Sequence, residues 1–287
     1  MLVVERAPAK VNLYLHVGPR RPDGLHDLAS LFVFADCGDV VTAEPADALS
    51  LRVTGEFSNE LAGADPERNL VMRAARALAA TRGGIAGARM TLEKRLPVAA
   101  GVGGGSADAA AALRALAKIW RLDIGAAGLR RLAFSLGADV PACLAATPVD
   151  VAGAGERLAP GPALPPLWIC LANPRVATPT GPIFRAFDHV NPTPAAPNLA
   201  RRPPRTIAGV ARLFAETRND LEPAAIARAP AVGEAIEFLR RQRGAIGARM
   251  SGSGATAFAL FASAAAAGRA ARAGAARGWW TAAAKLL

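Results

Sequence analysis

Aromatic side chains are scarce in this chain: phenylalanine, tryptophan and tyrosine make up 5% of its 287 residues, with a single tyrosine. Proteins that grip single-stranded nucleic acid stack bases on aromatic faces, and this composition offers little for such a platform. Cysteine is rare too. Cys37, Cys143 and Cys170 stand far apart and form no Cys-x-x-Cys pair; an odd count of three argues against a disulfide framework and for a reducing compartment. The three histidines, His16, His26 and His189, lack the spacing of metal ligands, so no protein-held metal is expected. The most apolar stretch, 255–267, falls short of the ~20 residues a membrane-spanning helix needs. Glu5 stands where a secretory signal would carry a cationic and then an apolar run. Together these absences lead us to expect a cytoplasmic protein with no membrane partner.

What is present is a chain able to bury a core. Hydrophobic residues reach 52% and charged residues 20%, which excludes intrinsic disorder, and the length suits about two domains. Lys and Arg number 34 against 23 Asp and Glu, a net charge of +11. A basic nucleic-acid-binding protein is the alternative of a different class, and it would need a basic stripe and salt-steep binding. The arginines are instead scattered among alanines with no nucleic-acid module, so the expected partner is a small molecule, not nucleic acid. Oligomeric state is not legible in the sequence.

The first ~95 residues read mostly as strand, with Val11, Leu13, Leu15 and Val17 alternating with Asn12, Tyr14 and His16. Residues 69–80 carry helical spacing that Asn69 can cap. Helices are predicted over 107–120 and 126–136, the latter closed by Gly137 as a left-handed cap. The proline-rich stretch 160–166 sets an expected boundary, giving domains 1–160 and 161–287. Beyond it we predict a strand over 167–171, a mobile proline-rich loop over 191–205, helices over 207–216 and 231–241, and a strand–glycine turn–strand unit over 247–261. A helix over 262–277 and an edge strand from Trp279 complete an α+β chain.

Gly101-Val102-Gly103-Gly104-Gly105-Ser106 lies between a predicted strand and a long helix. Backbone without Cβ atoms approaches a ligand closely, and a helix start offers unpaired N–H donors, which together suit phosphate. No Gly-Lys-Ser/Thr follows, so this is not a Walker A loop, and the third position of a dinucleotide fingerprint is Ser106.

The run from Leu96 through Pro97, Val98, Ala99, Ala100 and the glycines to Ala107 and Asp108 resembles the ATP-binding loop of the GHMP kinases, the superfamily of galactokinase and of homoserine, mevalonate and phosphomevalonate kinases. Four further blocks are similar to motifs of that family, in its order: Pro8-Ala9-Lys10-Val11-Asn12-Leu13, Arg21-Pro22-Asp23-Gly24-Leu25-His26, Leu136-Gly137-Ala138-Asp139-Val140-Pro141 and Met250-Ser251-Gly252-Ser253-Gly254-Ala255. The resemblance implies a two-domain fold, an N-terminal ATP-binding domain and a C-terminal ferredoxin-like plait. It implies ATP-dependent phosphorylation of the C2 hydroxyl of a diphosphocytidyl methylerythritol in non-mevalonate isoprenoid synthesis, with homoserine- or mevalonate-type chemistry as the alternative. By the same resemblance Lys10 and Asp139 are the catalytic pair. Pro97 through Ala107, with Asn69, Leu70 and Lys94, are expected to bind ATP. Asn12, His26, Phe32, Thr180 and Ser251, Gly252, Ser253 and Gly254 are expected to bind the cytidyl substrate. Magnesium is expected with the nucleotide. Leu25 stands where the family has tyrosine, so an aliphatic contact replaces an aromatic one.

Overall fold

The computed structural model describes residues 1–81, 83, 87–190 and 203–287. They form two compact units: Met1–Ala9, Gly38–Val98 and Gly103–Ala146 make the first, and Lys10–Cys37, Ala99–Val102 and Thr147–Leu287 the second. The chain thus passes between units several times rather than once near residue 160, because the long strands β1 (Val3–Arg20) and β2 (His26–Pro45) each give residues to both.

In the first unit, β3 (Leu49–Thr54) pairs in parallel with β4 (Ala88–Glu93), and β4 pairs antiparallel with residues 40–45 of β2. Helices α1 (Leu70–Ala80), α2 (Gly104–Ile119), α3 (Gly125–Leu136) and α4 (Val140–Ala145) accompany them. Val71, Met72, Ala75, Leu78 and Ala79 recur at helical spacing and bury one face of α1, which packs on α2. In α2 the run Ala109–Ala112 is wholly buried: alanine favours the helix and lets neighbours approach closely.

In the second unit, residues 28–32 of β2 pair antiparallel with β5 (Val149–Gly153), which pairs with β6 (Arg157–Pro160). The chain continues through β7 (Trp168–Asn173), α5 (Thr180–Val190), α6 (Ile207–Glu216), α7 (Glu222–Arg228) and α8 (Pro230–Arg240). It closes with β8 (Ala245–Met250), β9 (Ala257–Phe261), α9 (Ala264–Ala275) and β10 (Trp280–Lys285). Strands β10-β7-β9-β8 form an antiparallel sheet in that order, with α8 and α9 packed on it. Strand–helix–strand–strand–helix–strand in this order is the ferredoxin-like plait expected for the C-terminal half. β7 and β9 are buried nearly throughout, as central strands must be, and β10 is the expected edge.

Several expectations need correction. Helix α2 starts at Gly104, not at residue 107: the left-handed turn of the loop ends at Gly103, and glycine can take helical dihedrals as readily as left-handed ones. Gly137 is not a left-handed cap: its φ of 166° is extended, and its carbonyl accepts from Val140 N to open the turn into α4. The alternation in β1 does not mark a half-exposed strand. Lys10, Asn12 and Tyr14 are as buried as the valines and leucines between them. Of the predicted loop 191–205, residues 191–202 lie outside the described residues.

Candidate active site

Three backbone conformations shape the glycine loop. Gly101 and Gly103 have φ of +76° and +63°, in the left-handed region that a Cβ disfavours, and Ala99 joins them at 52°. Gly103 is the N-cap of α2, so Gly104, Gly105 and Ser106 form its first turn, whose N–H groups no helical carbonyl can reach. The positive end of the helix dipole sits there as well.

In the first unit, Lys94 at the end of β4 is 3% exposed and donates to both Asp39 and Asp108. Asp39 Oδ1 also accepts the N–H groups of Arg95 (2.6 Å) and Leu96 (2.8 Å). A Cβ on Gly104 would lie 3.1 Å from Lys94 Nζ, so this cluster braces the start of α2. Burial pushes the Asp108 carboxyl well above the usual carboxylate range, and Asp39 beside it adds to the push against the pull of Lys94. Burial opposes the charge on Lys94, but Asp108 and Asp39 outweigh it and raise its pKa. Lys94 therefore presents an ammonium already held by two carboxylates. Asn69 Oδ1 caps α1 through Val71 N (2.9 Å), and the residue also lines a cavity of about 270 Å³ with Leu51, Val53, Leu61 and Pro66. Asp139 precedes α4, half-buried, with its carbonyl accepting from Cys143 N.

In the second unit, Lys10 is 4% exposed on β1. Its Nζ donates to Asn12 Oδ1 (3.0 Å) and lies 4.1 Å from the centre of the Phe32 ring. Its backbone N–H donates to Val102 O, tying the strand to the glycine loop (2.9 Å). Asn12 Nδ2 donates to Ser30 Oγ (3.0 Å), and Asn12 N donates to Ser251 Oγ (3.2 Å). Ser251 Oγ in turn donates to Gly101 O (2.8 Å), so strand, glycine loop and C-terminal glycine turn meet at one hydroxyl. A cavity of about 370 Å³ is lined by His26, Leu25, Thr180, Phe184, Arg185 and Asp188, among others. His26 Nδ1 donates to Gly18 O (3.0 Å), its Nε2 lies 3.2 Å from Asp188 Oδ1, and its ring centre is 5.3 Å from that of Phe184. Thr180 Oγ1 is 3.0 Å from Ser253 Oγ.

The structure thus groups Lys10, Asn12, Ser251 and Phe32, and separately His26, Thr180 and Ser253. Phe32 is not among the residues lining the His26 cavity; its ring faces the Lys10 ammonium instead. The aromatic face in that cavity is Phe184, which sequence reasoning missed. Its signal was spacing: Thr180, Phe184 and Asp188 follow one another at i, i+4 and i+8 on one face of α5. Asp39 and Asp108 were also missed as partners of Lys94, since their contacts bridge 55 and 14 residues. A larger cavity of about 630 Å³, lined by Phe187, Phe214, Arg218, Asp220, Arg240 and Arg249 among others, holds none of the sequence-predicted site residues. Among the described residues, no group of three or more His, Cys, Asp or Glu is placed to hold a metal ion, and no helix is long and apolar enough to cross a membrane.

Comparison with known proteins agrees with this architecture. The family model described as GHMP kinases N terminal domain matches residues 69–147, and that described as GHMP kinases C terminal matches residues 195–278. A GHMP-type kinase is thus the class that fold and loop define. The chain is 52% identical to 4-diphosphocytidyl-2-C-methyl-D-erythritol kinase of Hyphomonas neptunium, over 98% of this chain and 95% of that one. It is 50% identical to the kinase of the same name from Paramagnetospirillum magneticum, over 98% and 97% of the two chains. Among solved structures, that of a 4-(cytidine 5'-diphospho)-2C-methyl-D-erythritol kinase is similar with TM-score 0.78 and 34% identity, covering 100% of this chain and 99% of that one. Homoserine kinase from Cytophaga hutchinsonii shares the fold, with TM-score 0.71 and 18% identity over 99% and 94% of the chains. The chain belongs to the GHMP kinases, in the family whose members are named 4-diphosphocytidyl-2-C-methyl-D-erythritol kinase. It is an ATP-dependent kinase.

Proposed function

We propose that this chain transfers the γ-phosphoryl group of ATP to the C2 hydroxyl of 4-diphosphocytidyl-2-C-methyl-D-erythritol, a step in the non-mevalonate route to isoprenoid precursors. The observation that carries this reading is the second unit's cavity: an aromatic face from Phe184 beside the His26 ring, joined through the Thr180–Ser253 contact to the glycine turn. An apolar slot with an aromatic wall and a few polar groups suits a flat heteroaromatic base. Homoserine and mevalonate carry no base, so this cavity would serve neither of them. Leu25, exposed at 54%, offers the base an aliphatic contact on that rim.

Phosphoryl transfer asks for a grip on the triphosphate, charge to neutralise the migrating group, and a positioned nucleophile. We assign the grip to residues 97–107, whose glycine conformations and free helix N–H groups support it. Asn69 and its cavity are assigned to the adenine. Lys94 is assigned to holding the loop's shape through its two carboxylates. Lys10 supplies positive charge, and Asp139 accepts or orients the substrate hydroxyl. Magnesium, bound together with the nucleotide, would supply Lewis-acid charge neutralisation to the phosphates. In functional terms residues 1–160 form the ATP-binding part and 161–287 the C-terminal part. Three cysteines outside any disulfide suit a reducing, cytoplasmic setting.

The test is coupled ADP release with the cytidyl substrate against its cytidine-free diol, homoserine and mevalonate. We expect turnover of the cytidyl substrate and loss of about 10²–10⁴-fold in Asp139→Asn, the range of a positioned acid–base group. Equal turnover of the cytidine-free diol, or an Asp139→Asn enzyme as fast as the parent, contradicts the assignment.

A further inference from the structure

Asn219 lies in the connection between α6 and α7, 4% exposed, and lines the wall of the larger cavity. Both protons of its side-chain amide are directed at the C-terminal glycine turn. Nδ2 donates to Met250 O (2.9 Å) and to Gly252 O (2.8 Å), while Oδ1 accepts from Leu221 N (3.0 Å). The backbone around it is fixed from the other side. Leu15 N donates to Arg218 O (2.9 Å), and Asp220 N donates to Leu15 O (2.8 Å), which fastens the segment to β1 five residues beyond Lys10. Asp220 Oδ2 accepts from Val17 N (2.8 Å), and Arg249, itself buried, donates to Leu13 O and Thr217 O from the same region.

A trans peptide is planar, and its C=O and N–H point in opposite directions. Holding a carbonyl therefore aims the following N–H. The Met250 peptide shows this: its oxygen is held by Asn219, and the N–H of Ser251 donates on the other side to Thr256 O (2.9 Å). The Gly252 peptide is held in the same way at its oxygen, with Gly252 in the left-handed region at φ +56°. Its N–H belongs to Ser253, whose hydroxyl lies 3.0 Å from Thr180 Oγ1.

We propose that Asn219 is a positioning residue for phosphoryl transfer: by holding the Gly252 carbonyl it aims the Ser253 N–H as a donor to the substrate. The inference rests on the kinase reading of the glycine turn. Asn219 belongs to none of the five sequence blocks and does not line the His26 cavity, and it touches no substrate; it acts through the turn. A carboxylate in its place sets negative oxygen against two carbonyl oxygens and turns the Gly252 peptide away. A serine keeps one donor for the pair of carbonyls.

The experiment compares the parent with Asn219→Asp and Asn219→Ser in full-length protein, by ADP release with the cytidyl substrate, with the folded fraction measured by near-ultraviolet circular dichroism. We expect kcat per folded molecule to fall about 10–100-fold in Asn219→Asp, the scale of a misplacement near 1 Å, and less in Asn219→Ser. A merely structural residue would lower the folded fraction and leave kcat per folded molecule and both KM values unchanged; that result overturns the proposal. Should Asn219→Asp not fold, Asn219→Ser decides by the same criterion. A parent that releases no ADP with this substrate overturns the functional reading itself, whereas an active parent with unaffected variants overturns the role of Asn219 alone.

Discussion

Replacing Gly101 by alanine separates two reasons for a glycine at the heart of the loop. At φ +76° any L-residue is strained, and a left-handed conformation costs roughly 1–2 kcal/mol. The added Cβ would also lie 2.3 Å from Ser251 O, 2.7 Å from Gly254 O and 2.9 Å from Gly254 N, all backbone atoms that cannot rotate aside. Overpacking of that kind adds roughly 1–3 kcal/mol, for a total of about 2–5 kcal/mol. Gly278 supplies the control. Its φ is +81°, and a Cβ added there would have nothing within 4 Å, so Gly278→Ala meets strain without a clash. At about 2–4 °C per kcal/mol for a chain of this size, Gly101→Ala melts several degrees below Gly278→Ala in differential scanning fluorimetry. The displaced loop also breaks the Ser251 Oγ–Gly101 O bond, and kcat/KM for ATP falls about 100-fold if the shift nears 1 Å. Gly278→Ala keeps kcat/KM for ATP within about twofold, since it leaves the catalytic geometry in place. Equal melting temperatures and equal kcat/KM in the two variants would refute the close-approach reasoning.

Two further outcomes follow from the site. Phe184→Ala raises KM for the cytidyl substrate with little change in kcat, by about 5–150-fold if the ring contributes the ~1–3 kcal/mol of a base–aromatic stack; an unchanged KM removes Phe184 from base binding. Burial raises the pKa of Asp108 in the fold above its unfolded value of about 3.9, so the contribution of its protonated form to stability is complete below that value and is lost as pH rises through the raised folded pKa. Asp108→Asn, read by melting temperature against pH, flattens that decline, and a profile parallel to the parent's contradicts the assignment.

Much of this site was legible because its chemistry is local in sequence. The glycine loop announces itself by composition, and the cap at Asn69 and the turn at residues 251–254 each lie within one short block. What was not legible depends on long-range packing. The alternation of β1 points to a strand with one wet side, since a strand enclosed on both faces usually reads as a continuous apolar run; Lys10 and Asn12 are buried nonetheless because each finds a partner, Lys10 Nζ on Asn12 Oδ1 and Asn12 Nδ2 on Ser30 Oγ. Phe184 stands beside His26 where Phe32 was expected, because which ring meets His26 is decided by where α5 lies, about 150 residues beyond β2. The carboxylates around Lys94 and the amide of Asn219 are ordinary polar letters until the fold brings their partners close. Gly137 misled because a glycine after a helix suits either a left-handed cap or an extended exit, and the turn into α4 selects the exit.

The most direct measurement is phosphorus NMR of the product formed by the parent protein from ATP, magnesium and the cytidyl substrate. The account predicts a new phosphomonoester on the C2 oxygen with the cytidine diphosphate intact, in step with ADP release. Inorganic phosphate as the sole new species, or a phosphoryl group on any other hydroxyl, would contradict it.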